Sequence, residues 1–448
     1  MPETEALNPE TAVPVALPSQ RWGLAARIAF RFAFVYLLLY CWPNAGRSNL
    51  LDAIPNFQAG SMNDSDTQPL AKWAEAPSHA LCSWVAVHVF HLTGPEGRYH
   101  PTGSGDTTLD YIQVFCFFVL AACVAVVWSI IDRRRPNYRT LYAWLRLIVR
   151  FTLAFTLLSY GFAKIYPLQF HSPFLSTLTE TYGEASPMGL LWTFMGASAA
   201  YTMFCGSVEA IGGVLLLFRK TTAIGALVAA GAMLNVAMLN FCYDVPVKLY
   251  SLHLFLMSAF LLLPEVKPLW NFFLAHRTSR LESVSLPKFE RRWLRGAAIV
   301  LQVLVVASVL FNNIWGAYVM AKDYAAEFTH PPLYGVWDVD GFTSGGPLPA
   351  AWHRVIVDSA GLLTVRTNSG DAVRFRATFE KPKHLKLQSR RTKQTADLNY
   401  EQQDDQSLVL RGYLDHDPIV VQLHRFDASH FLLTSRGFHW INEDPFNR

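Results

Sequence analysis

Between Arg146 and Glu265 the chain sets three long apolar runs and most of a fourth in close succession. They are Leu147 to Ala163, Ala197 to Phe218, Thr222 to Cys242 and Val247 to Leu263. Each approaches or exceeds the roughly 20 residues that cross ~30 Å of hydrocarbon. Such runs leave few folds open, because inside a bilayer every backbone polar group must be satisfied within the segment. They predict a helical membrane core.

Three more runs predict spans at about Leu24 to Trp42, Tyr111 to Ile131 and Gly296 to Met320, for seven crossings in all. Before them, residues 1 to about 20 read as a proline-containing tail. No basic segment leads into an apolar stretch there, so a cleavable signal peptide is not expected. Arg27 and Arg31 are four apart on one helix face, where long side chains can snorkel to the head groups. Within the polar connection of residues 43 to 110, Ala80 to Leu92 is apolar but too short to span, which suggests a buried or interfacial half-helix. A short apolar piece, Leu269 to Leu274, is expected along the membrane surface.

Lysine and arginine counts in the connections set the expected orientation. Basic residues crowd Arg21 to Arg31, Arg133 to Arg146, Arg219-Lys220 and Lys267 to Arg295, while residues 44–110 hold three basic residues against seven acidic ones. An N-terminus in the cytoplasm satisfies every connection and puts the C-terminal region outside it. Arg27 to Pro43 and Arg146 to Pro167 echo one another, with paired arginines at the start and aromatic residues before a proline. A parallel duplication would explain the echo, and so would the ordinary rules for outward helices.

After about Pro331 the pattern changes to apolar–polar alternation broken by turn residues. Candidate strands are Gly335 to Phe342, Trp352 to Asp358, Leu362 to Thr367, Ala372 to Phe379, Leu408 to Tyr413, Ile419 to Phe426 and Phe431 to Ser435. In Ala372-Val373-Arg374-Phe375-Arg376-Ala377 apolar and basic residues take opposite faces, as a half-buried antiparallel strand requires. Seven or eight strands in this length predict a small barrel or sandwich. Gly335-Val336-Trp337 resembles the start of lipocalins, whose tryptophan plugs one barrel end. The expected organisation is thus a tail (1–20), two spans with a long loop (21–145), a four-helix core (146–265), a basic connection with a last span (266–330), and a β-rich domain (331–448).

Only 16% of residues are charged, against roughly 25% in an ordinary soluble domain, and the net charge is +4. Neither supports a nucleic-acid partner. The six cysteines lack zinc-type spacing and lie mostly in apolar helices, as small packing residues do. His88 and His91 stand three apart with His100 nearby, but no further ligand has recognisable spacing, and no metal site is assigned. In Gly103-Ser104-Gly105-Asp106-Thr107-Thr108 the glycines permit a turn and Asp106 or Thr107 can cap the helix that follows. Gly206, Gly212, Gly213, Gly225 and Gly231 suggest close helix contacts. Arg150 sits deeper than a simple anchor needs, facing a crevice, a carbonyl or the interface.

Polar residues inside spans are costly and mark candidate sites. Lys164 follows Tyr160 near one end of its helix, and Glu209 lies mid-helix. Asn235, Asn240 and Asp244 climb the next helix, and Lys248 and His253 begin the one after. All would share the outer half of the membrane. On the functional reading, Lys164, Glu209 and His253 handle protons in a pocket bordered by Tyr160, Asn235, Asn240, Asp244 and Lys248. On the structural reading, the same groups form a hydrogen-bond network that ties the helices together.

The central block resembles the DoxX-like superfamily of small membrane proteins. The matching residues are Tyr160-Gly161-Phe162-Ala163-Lys164, Glu209 followed by Gly212-Gly213-Val-Leu-Leu-Leu-Phe, and Arg219-Lys220 before a small-residue-rich helix. That resemblance covers about 120 of the 448 residues. It implies a quinone-linked oxidoreductase component served by a redox partner protein, with Lys164 and Glu209 lining the site. The other class of function is a non-enzymatic envelope protein whose external β domain binds a lipid, another hydrophobic ligand or a protein. A transporter is disfavoured by the lack of an inverted repeat.

Overall fold

The computed structural model describes residues 21–42, 69–99, 102–278, 291–327, 330–346, 351–359, 361–380 and 383–447. The expected tail lies outside them, as do residues 43–68 of the first long connection and His100. The helices are α1 (Leu24–Tyr40), α2 (Pro69–His88), α3 (Thr108–Ile131), α4 (Arg139–Ile165), α5 (Leu175–Leu178), α6 (Pro187–Ala197), α7 (Ala199–Leu217), α8 (Thr222–Cys242), α9 (Lys248–Leu262), α10 (Val266–Phe273), α11 (Arg292–Glu327) and α12 (Leu432–Ser435). Among the described residues six helical stretches are long and apolar enough to cross a membrane: α3, α4, α7, α8, α9 with α10, and α11. This is a multi-pass membrane protein. The remaining expected span, α1, has 17 residues, the lower end of the roughly 17–25 that cross a bilayer.

Two compact units emerge from the packing. One holds the chain up to Thr156 with Leu216–Ala226 and His253–Val305; the other holds Leu157–Leu215, Leu227–Leu252 and Val306–Arg448.

In the first unit α1 packs along α3, and α2 packs on α3 through Cys82, Val85, Ala86, Leu109, Ile112 and Cys116. A capping box starts α3: Thr107 Oγ1 accepts from Asp110 N, and Asp110 Oδ2 accepts from Thr107 N. The half-helix expected at Ala80 to Leu92 is the end of a longer helix that stops at His88, leaving Leu92 to pack on the α2–α3 core. His88 stacks on Trp84 and contacts its carbonyl. Arg27 and Arg31 find partners within the protein. Both are buried: Arg27 donates to the carbonyls of Arg133 and Arg135, and Arg31 to Asp132 O, Ser129 Oγ and Tyr138 Oη. Asp132 is the C-cap of α3, and its carbonyl, with those of Arg133 and Arg135 in the connection that follows, accepts from the two cations.

The second unit contains the C-terminal domain, a closed antiparallel barrel of eight strands in sequence order. They are β1 (Gly335–Ser344), β2 (Trp352–Ser359), β3 (Leu362–Thr367), β4 (Ala372–Glu380), β5 (His384–Gln388), β6 (Thr395–Gln402), β7 (Ser407–Leu414) and β8 (Asp417–Arg425), with β1 paired to β8. Closure decides the barrel over the sandwich. One apolar cluster fills the interior, including Trp337, Val355, Leu363, Phe375, Leu385, Leu398, Leu410 and Val421, as an eight-stranded barrel allows. Trp337 lies at one end, its indole N–H donating to Leu333 O and Arg425 over its ring.

Two strands, β5 and β6, were absent from the sequence-based list. Their inward residues (Leu385 and Leu387; Ala396 and Leu398) alternate with polar ones in a polar stretch. The strand predicted at Phe431 to Ser435 is instead the single turn α12. Closure removes the open edge it would have paired with, and Phe431 packs on Phe426.

The barrel also grips the connection after α4. Both carboxylate oxygens of Asp358 accept backbone N–H groups at the start of α5, from Leu175 and from Ser176, the latter at 2.9 Å. Leu175 packs with Val336 and Ile356. Arg366 donates to Glu184 at 3.3 Å.

Candidate functional site

Lys164 stands in the last turn of α4 and Glu209 in the middle of α7. Lys164 Nζ lies 2.7 Å from Glu209 Oε2, with the side chains 8% and 4% exposed. The local sequence explains why they meet. Gly161 is three residues before Lys164, and Gly206 three before Glu209, so each glycine shares a helix face with its charge. A Cβ on Gly161 would come within 2.8 Å of both Gly206 O and Ala210 N. One on Gly206 would meet Gly161 O at 2.6 Å and Lys164 Cβ at 2.7 Å. Bare backbones therefore cross at this point, as small residues permit in membrane helices, and the two side chains project into one pocket of protein.

Tyr160 borders the pair, with Lys164 Nζ 5.6 Å from its ring centre. Its other aromatic neighbour, Tyr250, is at 6.1 Å. Hydrogen-bonded opposite charges and a ring face that favours the ammonium hold a proton between two oxygen and nitrogen bases away from water. Such a pair can keep its charges or pass the proton when a third group arrives.

Asn240, Asp244, Lys248 and His253 have local partners. Asn240 donates to Ser251 Oγ at 3.0 Å and to Val247 O at 3.4 Å, closing the α8–α9 hairpin. Asp244, in a left-handed conformation (φ 52°), pairs with Lys248 at 2.7 Å, its own side chain largely exposed. Asn235 lies on an exposed face of α8. His253 is buried with its Nε2 2.6 Å from Tyr36 Oη, and its ring stacks on Tyr40 at 3.9 Å. Among the described residues no group of three His, Cys, Asp or Glu side chains is arranged to hold a metal ion.

No family model and no solved structure matches the chain. The uncharacterised protein YwoB of Bacillus subtilis (strain 168) is 35% identical over 115 residues, which make up 25% of this chain and 71% of YwoB. The chain belongs to the YwoB family. YwoB is itself uncharacterised, so membership brings no reaction with it.

In this YwoB-family chain, sequence reasoning missed three groups that shape the sites. Gly161 was quoted as part of a motif but not as the contact that seats Lys164; the matched Gly-x-x-Lys and Gly-x-x-Glu spacing was the available signal. Tyr36 and Tyr40 carried none, because tyrosines at the end of a span are ordinary interface residues. Gly231, expected at a helix contact, faces open space.

Proposed function

We propose that this protein is the quinone-linked membrane component of an oxidoreductase, with Lys164 and Glu209 as its proton-handling pair. The observation that carries the reading is the buried 2.7 Å ion pair at the α4–α7 crossing, in the segment that resembles DoxX-like proteins. A quinone becomes a quinol by taking two electrons and two protons. A redox partner protein would supply the electrons. Lys164 would donate one proton to a quinone oxygen and, reprotonated from water by way of Glu209, would donate the second. Tyr160 would border the quinone ring, whereas His253, hydrogen-bonded to Tyr36, belongs to the other compact unit and is given no part in this pair. The distribution of basic residues supports a cytoplasmic N-terminus and an extracytoplasmic barrel, and the DoxX-like resemblance supports the plasma membrane as the location.

The packed barrel interior argues against the alternative in which the barrel carries a lipid or other hydrophobic ligand inside it. A protein partner on its outer surface stays compatible with the oxidoreductase reading.

The test uses full-length protein in nanodiscs with ubiquinone or menaquinone and a membrane extract as electron source. Quinone should bind and be reduced, and Glu209→Gln should lose reduction while keeping its fold. Absent quinone binding, or an unchanged rate in the variant, would sink the proposal.

A further inference from the structure

Two arginines of α4 are buried without a carboxylate among their described partners. Arg146 and Arg150 are 3% and 5% exposed and lie four apart on one face. Their polar contacts are long: Arg146 Nη1 to Tyr142 Oη and Arg150 Nη1 to Thr222 Oγ1, each 3.5 Å. Each also stands over an aromatic ring, Arg146 over Tyr142 and Arg150 over Phe151. Arg150 Nε is buried with no hydrogen-bond partner among the described residues. Arg219, in the turn between α7 and α8, and Arg146 both stand close enough to Arg150 for their charges to repel it. All belong to the first unit.

Structure alone gives a poor account of this arrangement. A buried cation is tolerated when an opposite charge and full hydrogen bonding offset its lost hydration. Here like charges stand near Arg150 and its Nε is left over among the described residues. Arg31, in the same unit, shows the contrast: its Nε, Nη1 and Nη2 all donate, to Tyr138 Oη, Ser129 Oγ and Asp132 O.

We propose that Arg146, Arg150 and Arg219 form a binding site for a phosphate group beside the start of α8. A tetrahedral anion offers several oxygens to forks approaching from different directions, which suits guanidinium better than any single carboxylate. The site sits at the turn carrying Arg219 and Lys220, where the apolar spans α7 and α8 end. Phosphodiester head groups of anionic lipids occupy that level of a bilayer, and basic pockets between spanning helices bind them. Free inorganic phosphate carries the same chemistry. The site owes nothing to the quinone reading.

The experiment compares full-length wild type, Arg150→Met and Arg150→Lys in three nanodisc preparations. These contain phosphatidylcholine alone, phosphatidylcholine with phosphatidylglycerol, and phosphatidylcholine with millimolar inorganic phosphate. Thermal midpoints are read in each, and native mass spectrometry counts retained phosphatidylglycerol. Wild type should gain stability with the anion, and Arg150→Met should weaken the apparent affinity by about tenfold or more. Arg150→Lys, which keeps the charge and loses the fork, should fall between them. A rise confined to the phosphatidylglycerol preparation identifies a lipid head group; a rise with inorganic phosphate identifies the free ion. No rise in either, or a full rise in Arg150→Met, overturns the proposal. Should Arg150→Met not fold, Arg150→Lys and Arg146→Met decide by the same readings.

Discussion

The barrel and the helical spans are built inside out with respect to one another. In the barrel the interior is apolar and the charges, such as Lys386 with Glu380, lie on the surface. In the spans the surface carries Phe204, Ile224, Leu301 and Leu304, all more than half exposed, while Arg31, Arg146, Arg150, Lys164 and Glu209 are buried. Each arrangement follows from what surrounds it. Water rewards polar surface, whereas lipid penalises it and sends charge inward to find a partner. On the barrel the buried carboxylate of Asp358 points away from the apolar interior and caps α5; in the spans a buried charge marks the places where the helices carry chemistry or hold each other.

The sharpest way to break this contrast is to remove one member of the buried pair. Lys164→Ala or Glu209→Ala should lower stability by about 3–5 kcal/mol, because the remaining charge has nothing to offset it. The double change to Met and Leu should cost far less. Equilibrium unfolding in mixed micelles checks both, and equal losses would mean the pair is not what stabilises this crossing. Leu398→Ala in the barrel should cost about 2–5 kcal/mol through the cavity it leaves, read by chemical denaturation followed at the barrel's tryptophans.

Exposed apolar residues separate the two media next. Leu304→Lys in α11 should cost roughly 2.5–3.5 kcal/mol in membrane-insertion assays if that face meets lipid. Tyr413→Lys, exposed to a similar degree on β7, should stay within about 0.5 kcal/mol. Asp358→Ala should cost about 0.5–2 kcal/mol, as loss of a helix cap does, with faster amide exchange at Leu175 and Ser176 as its local signature.

The smallest effect concerns pH. Hydrogen bonds from Thr181 and Arg366 hold the Glu184 carboxyl below its ordinary value of 4.5. Its contribution is complete above that ordinary value and is lost as pH falls through the lower, folded-state value. The difference in midpoint between wild type and Arg366→Ala should therefore shrink on acidification and not on alkalinisation.

Much of this was legible in the residues themselves. The spans follow from apolar length, and the strands β1–β4, β7 and β8 from alternation. Lys164 and Glu209 stood out because ionisable groups are rare in such runs. Pairing was less legible. Lys164, Glu209 and His253 were read as one proton-handling group, and spacing along the chain does not say which of them meet. The fates of Asn240, Asp244 and Lys248 turned on hairpin geometry that composition does not carry.

The amino-acid order alone determined that this is a membrane protein with a β-rich C-terminal domain, since hydropathy and period depend only on neighbours along the chain. Tertiary structure decided that the domain closes as a barrel, that Arg27 and Arg31 serve the end of α3 and the connection after it, and that Lys164 meets Glu209. Those outcomes depend on which backbones can approach one another, and at the decisive crossing two glycines on different helices set that distance.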